Sequence, residues 1–278
     1  MKKIVVVFLV LFLLVGCSTN DVDDSIKVVV SFGLLEEVVN TVGGDKVSVT
    51  NIVGNSDAHV WEPTPRDSVI LSNADLIVIV GAGFEHWFDS VAKTIDLDKV
   101  VDTSADIDLI INDGVVDPHL WMDPLNVIQQ AKTVMGALVE IDEENKDYYL
   151  ANFEKYKSVL LELDNAYREH NLNGTIVSSH ASFGYLAQAY GLDVLSVDGL
   201  EPSVEPSIGK ITFVIDEIRR QGIKYIFFDN IDDTKVADMI ANEAGIKARL
   251  LSPLEMMESD YKSMMLENLE VLDEAFGQ

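Results

Sequence analysis

Leu76-Ile77-Val78-Ile79-Val80-Gly81-Ala82-Gly83 is a run of five apolar residues closed by two glycines. A run so short cannot make a helix of ordinary length, and its lack of polar alternation fits a strand buried on both faces. Upstream, residues 65–73 open on Pro65 and read as a helix, and residues 46–53 alternate apolar and polar as a half-buried strand does. Residues 34–41 are helical up to Gly43-Gly44, and residues 27–32 read as another buried strand. Strands alternating with helices predict a parallel sheet covered on both faces.

Downstream, residues 125–141 read as a helix. Residues 143–170 sustain a long polar one, with Tyr149, Phe153, Tyr156, Leu160 and Leu163 at three- and four-residue spacing. At 1.5 Å per residue the stretch 143–171 spans roughly 40 Å. After it the alternation begins afresh, with strands at 175–178, 194–197, 224–228 and 247–251 and helices at 182–190, 207–221, 233–244 and 261–276. The expected fold is therefore α/β, with two lobes, each a parallel sheet flanked by helices, joined by one long rigid helix. The division expected is an N-terminal lobe over 26–141, a linker helix over 142–171 and a C-terminal lobe over 172–278. So stiff a strut limits hinge closure.

The N-terminus has its own organisation. Met1-Lys2-Lys3 precedes twelve apolar residues and then Leu14-Val15-Gly16-Cys17. That apolar run falls well short of the roughly 20 residues a membrane-spanning helix needs, so residues 1–16 read as a secretory signal peptide. Cys17 is the sole cysteine among 278 residues, which excludes a disulfide framework and a thiolate metal site. Its position after Leu-Val-Gly resembles the lipobox of bacterial lipoproteins, and marks Cys17 for lipidation with 17–25 as a polar tether. The body is then extracytoplasmic and lipid-anchored to the cell membrane. Without Lys2 and Lys3 the 20 basic side chains fall to 18 against 47 acidic, a formal charge of −29. Nucleic acid is excluded as a partner on that balance.

Three of the five histidines share one setting, in or just after a loop that follows an expected strand. They stand in Asp57-Ala58-His59-Val60-Trp61-Glu62-Pro63, Asp117-Pro118-His119-Leu120-Trp121-Met122-Asp123-Pro124 and Ser179-His180-Ala181-Ser182-Phe183-Gly184-Tyr185. Prolines around His119 remove backbone donors and make a stiff loop. Ligands of open parallel sheets bind beyond the carboxyl ends of strands, so the three point at one crevice. No two of them have the i, i+4 spacing of a local chelate, so spacing alone leaves ordinary packed or surface histidines open as well.

These three stretches, with Glu205-Pro206-Ser207, resemble the zinc- and manganese-binding solute-binding lipoproteins that serve bacterial ABC importers, over nearly the whole chain. The resemblance implies two α/β lobes joined by a long helix and a metal held between them by His59, His119 and His180. Manganese-type members carry a Glu at the third position, so His180 favours Zn²⁺ over Mn²⁺. By similarity to zinc members, Glu255 in Leu251-Ser252-Pro253-Leu254-Glu255 completes the site, with water as the alternative. The His-rich loop of many zinc members is absent from 107–116, and His86 and His170 read as surface residues. The implied function is capture of Zn²⁺ outside the membrane and delivery to an importer permease by a monomer. Alternatives are a Mn²⁺ or Fe²⁺ carrier of the same family, a zinc-dependent hydrolase, or an adhesin with structural metal. Three imidazoles and a carboxylate suit Zn²⁺, and neither HExxH nor G-x-S-x-G is present to argue for hydrolysis. Asp57, Asp117 and Asp123 are the carboxylates placed to orient the imidazoles, and Trp61 and Trp121 are candidates to wall the site.

Overall fold

The computed structural model describes residues 25–54, 56, 58–112, 114–197, 199–200, 206–229 and 234–277. The signal peptide, Cys17 and the tether up to residue 24 lie outside the described residues, as do Asp57 and Glu205.

Strand β1 (Ile26–Val30) is flanked by β2 (Val47–Asn51) and β3 (Leu76–Ile79), and β4 (Val100–Asp102) completes a four-stranded parallel sheet in the order β2-β1-β3-β4. Position explains pattern here. All four residues of β3, a central strand, are buried, whereas β2 at the edge alternates between partly buried and exposed. Helix α1 (Gly33–Gly43) covers one face with Leu34, Leu35, Val38, Val39 and Val42. Helix α2 (Pro65–Ser72) starts at a proline, and Asp67 accepts from the Thr64 N–H at 2.8 Å. A short α3 (Phe88–Val91) and an antiparallel hairpin of β5 (Ile111–Asn112) and β6 (Val115–Val116) follow.

Helix α4 (Pro124–Ile141) leads through one 3-10 turn into α5 (Lys146–Glu169), whose 24 residues extend about 36 Å. Its expected inward face is the observed one: Tyr149, Phe153, Tyr156, Leu160 and Leu163 are all buried. Beyond it, β7 (Thr175–Ser178), β8 (Asp193–Ser196), β9 (Tyr225–Phe228) and β10 (Lys247–Leu250) form a second parallel sheet in the order β10-β9-β7-β8. Helices α6 (Gly184–Tyr190), α7 (Ile208–Gln221) and α8 (Lys235–Ala244) alternate with these strands.

The last helix, α9 (Tyr261–Phe276), packs back against α5. Its Tyr261 N–H donates to Glu37 at 2.8 Å, and the Tyr167 hydroxyl donates to Met265 O at 2.6 Å. One apolar core therefore runs from the first sheet through α4, α5 and α9 to Ile176 and Phe227 of the second sheet. A separate cluster around Val177, Val214 and Ile240 belongs to the second sheet and its helices. Among the described residues, no helix is long and apolar enough to cross a membrane.

Candidate metal centre

The carboxyl ends of both sheets face one place. His59 lies in the loop after β2, with its ring 5.9 Å from Phe84 in an edge-on contact. His119 follows the β5–β6 hairpin at the start of the 3-10 turn Leu120–Met122 and is fully buried. Asp117 Oδ1 lies 2.9 Å from both its backbone N and its Nδ1. Trp121 packs edge-on against the His119 ring at 5.3 Å. The turn ends where Pro124 begins α4, with Asp123 accepting from the Leu125 N–H at 2.8 Å. Asp123 is thus a helix cap, not an orienting partner for an imidazole. Trp61 packs instead on Trp87, with centroids 5.0 Å apart.

From the second lobe, His180 sits two residues past β7 and is 1% exposed. Its Nδ1 lies 2.5 Å from Asp229 Oδ2, directly after β9, and Asp229 Oδ1 also accepts from the Ser179 hydroxyl at 2.8 Å. The sequence reading missed Asp229. Its available signal was an acidic residue at the carboxyl end of an apolar strand, in the same register as the histidine loops. The motif around His180 serves the other lobe too. The Tyr185 hydroxyl donates to Asp117 O at 3.1 Å and accepts from the Ile110 N–H at 3.0 Å.

Glu255, in the loop after β10, brings the two halves together. Its Oε1 is buried and stands 3.2 Å from Nε2 of His59, 3.3 Å from Nε2 of His119 and 3.6 Å from Nε2 of His180. The Nε2 atoms of His119 and His180 are 3.2 Å apart, and all four donor atoms lie within 4.8 Å of one another. Four ligands about 2.05 Å from a tetrahedral ion are separated by about 3.3 Å along each edge. The three Glu255 separations and that between His119 and His180 are close to that edge. Carboxylates on Nδ1 of His119 and His180 turn each Nε2 toward the centre.

Charge is concentrated here. Burial lowers the pKa of His119, yet the hydrogen bonds and charges of Asp117 and Glu255 outweigh it and push it up to about 9. Burial raises Glu255, but the facing imidazoles of His119 and His59 hold it well below the usual carboxylate range. A cation held by these residues would take the place of the proton on His119 and face an ionised Glu255. His86 and His170 are not part of the cluster: His86 Nε2 lies 3.6 Å from Glu62, and His170 Nδ1 bonds the Ala166 carbonyl at 2.8 Å.

Two α/β lobes tied by a long helix, with polar donors from both converging in the cleft, define the class of solute-binding proteins. The chain belongs to the family described as zinc-uptake complex component A, periplasmic, whose profile matches residues 28–275. It is 29% identical over 286 residues to the high-affinity zinc uptake system protein ZnuA of Bacillus subtilis, covering 93% of this chain and 90% of that one. It is 28% identical to the zinc-binding lipoprotein AdcA of Streptococcus pneumoniae, over 100% of this chain but only 62% of AdcA. The crystal structure of the Zn(II)-bound ZnuA-like domain of that AdcA superimposes with a TM-score of 0.80 at 28% identity, covering 91% of this chain and 100% of the domain.

Proposed function

We propose that this protein captures Zn²⁺ outside the cytoplasm and delivers it to an ABC importer permease, with His59, His119, His180 and Glu255 as the four ligands. The observation that carries this reading is the convergence of three imidazoles and one carboxylate from both lobes, with Glu255 Oε1 3.2–3.6 Å from the three Nε2 atoms. An N₃O set suits borderline-soft Zn²⁺, whereas Mn²⁺ prefers more oxygens. Four protein ligands close the shell and leave no position for a reactive water, so the reading is of a carrier and not an enzyme. One chain supplies every donor, which fits a monomer.

Lipidation of Cys17, with 1–16 as signal peptide and 17–25 as tether, is the proposed means of holding the protein at the membrane. The lobes are proposed to divide at 26–141 and 172–278 around the linker 142–171. Metal analysis of protein purified without added metal, then Zn²⁺/Mn²⁺ competition, tests the function. About one equivalent of zinc, preferred over manganese, is expected. An unchanged melting curve on adding Zn²⁺ to verified metal-free protein would sink it.

A further inference from the structure

Glu255 reaches the imidazoles from a backbone that L residues avoid. Leu254, immediately before it, has a φ of +59° and a fully buried side chain. In that left-handed region the Cβ crowds the following carbonyl oxygen, and such a conformation persists only where its surroundings over-determine it.

The surroundings do so through a short chain of hydrogen bonds. The Leu251 N–H donates to Phe228 O at 3.0 Å, extending the β9–β10 pairing by one residue. Asn268 on α9 then grips Ser252 twice: its Oδ1 accepts from the Ser252 N–H at 2.9 Å, and its Nδ2 donates to Ser252 O at 2.7 Å. Trp121 Nε1 donates to Pro253 O at 2.8 Å, and the Ser252 hydroxyl accepts from the Leu254 N–H at 3.2 Å. Asn268 is 3% exposed on a helix whose other buried residues are Tyr261, Met264, Met265, Leu269 and Leu272. An amide is costly to bury there unless it is hydrogen-bonded, and both of its polar atoms are engaged by Ser252.

We propose that Asn268 is the positioning residue for the fourth ligand, its paired hydrogen bonds to Ser252 holding Leu254 left-handed and so aiming Glu255 into the three imidazoles. This rests on the reading of those four residues as zinc ligands. An amide matches the donor and acceptor of one backbone residue, which neither a carboxylate nor an apolar side chain of that size can do. Without the clamp the turn relaxes toward a right-handed backbone, Glu255 withdraws, and water takes its place on the metal.

The test compares Zn²⁺ affinity, by competition with a chromophoric chelator, in wild type, Glu255→Gln, Asn268→Asp, Asn268→Ser and each of the last two combined with Glu255→Gln. Asn268→Asp keeps size and acceptor but loses the donor and sets a carboxylate against Ser252 O. It is expected to bind about 10–100-fold more weakly, and combining it with Glu255→Gln adds little further loss. The visible bands of the Co²⁺-loaded variant should shift as a water oxygen replaces the Glu255 carboxylate. Wild-type affinity in Asn268→Asp, or a loss that adds in full to that of Glu255→Gln, overturns the proposal. A wild-type protein that binds no zinc overturns the ligand reading instead. Should Asn268→Asp fail to fold, Asn268→Ser decides by the same criteria, since its shorter side chain cannot make both hydrogen bonds to Ser252.

Discussion

Asp117 Oδ1 stands 2.9 Å from both the backbone nitrogen and the ring Nδ1 of His119. One buried carboxylate oxygen therefore fixes both the start of the 3-10 turn and the rotation of the ring, and it leaves Nε2 facing the centre. From the other lobe, Asp229 Oδ2 holds the His180 ring through Nδ1. Outer carboxylates of this kind are worth about 10–100-fold in metal affinity. Asp117→Ala and Asp229→Ala are each expected to lose zinc affinity by that factor although no ligand is removed. His170→Ala, at an exposed helix end, leaves it unchanged. Chelator competition on the three variants checks this, and equal losses in all three refute it.

Zinc should bind to a chain that is already folded, because the apolar core runs continuously through α4, α5 and α9 without depending on the site. Chelated protein is expected to retain its far-ultraviolet dichroism. Free Zn²⁺ at 1,000 times the dissociation constant adds about 4 kcal/mol of stability. That gain disappears in His119→Ala. Thermal melts with and without metal measure both.

Gly184 begins α6 directly against the carboxylate that orients His119. A Cβ at residue 184 lies 2.5 Å from Asp117 Oδ2. Because that neighbour is a buried side chain held by two other bonds, either Asp117 or the start of α6 has to move. Gly184→Ala is therefore expected to weaken zinc binding by roughly tenfold, the lower end of the effect of losing such an orienting partner. Unchanged affinity in the competition assay would mean that Asp117 gives way without disturbing the ring.

How much of this was legible in the sequence depends on how local the cause is. Strand β3 and the inward face of α5 follow from apolar periodicity, which the residues themselves carry. Strand β4 went unread because Val100–Asp102 is too short to show a period. The α9 helix was legible as a helix but not by destination: its ties to Glu37 and Tyr167 span 224 and 98 residues, and only tertiary packing sets them. Likewise, His59, His119 and His180 each stand in a loop after a strand or hairpin within a distinctive motif. Glu255 was reachable only through family resemblance, since its approach depends on a left-handed Leu254 that no local residue announces. Asp229 had no motif around it at all.

Glu85 gives the fold a pH dependence of its own. It is buried and accepts from the Ser31 hydroxyl at 2.5 Å, the Val80 N–H at 2.7 Å and the Gly81 N–H at 3.0 Å, tying β1 and β3 to the loop that carries Phe84. Burial pushes its pKa up to about 7 against the pull of those three donors. Between its unfolded value of 4.5 and about 7 the native state holds the proton more tightly than the unfolded chain, so this group's contribution to stability falls as pH rises through that window. At about 1.4 kcal/mol per unit the full cost above pH 7 is about 3 kcal/mol. Glu85→Gln cannot ionise, so its stability relative to wild type should improve by up to that amount between about pH 5 and pH 8, on top of a constant offset for the donor its amide turns toward a donor. Urea melts of both metal-free proteins across this range measure the difference, and a difference that stays flat with pH would show that Glu85 remains ionised throughout.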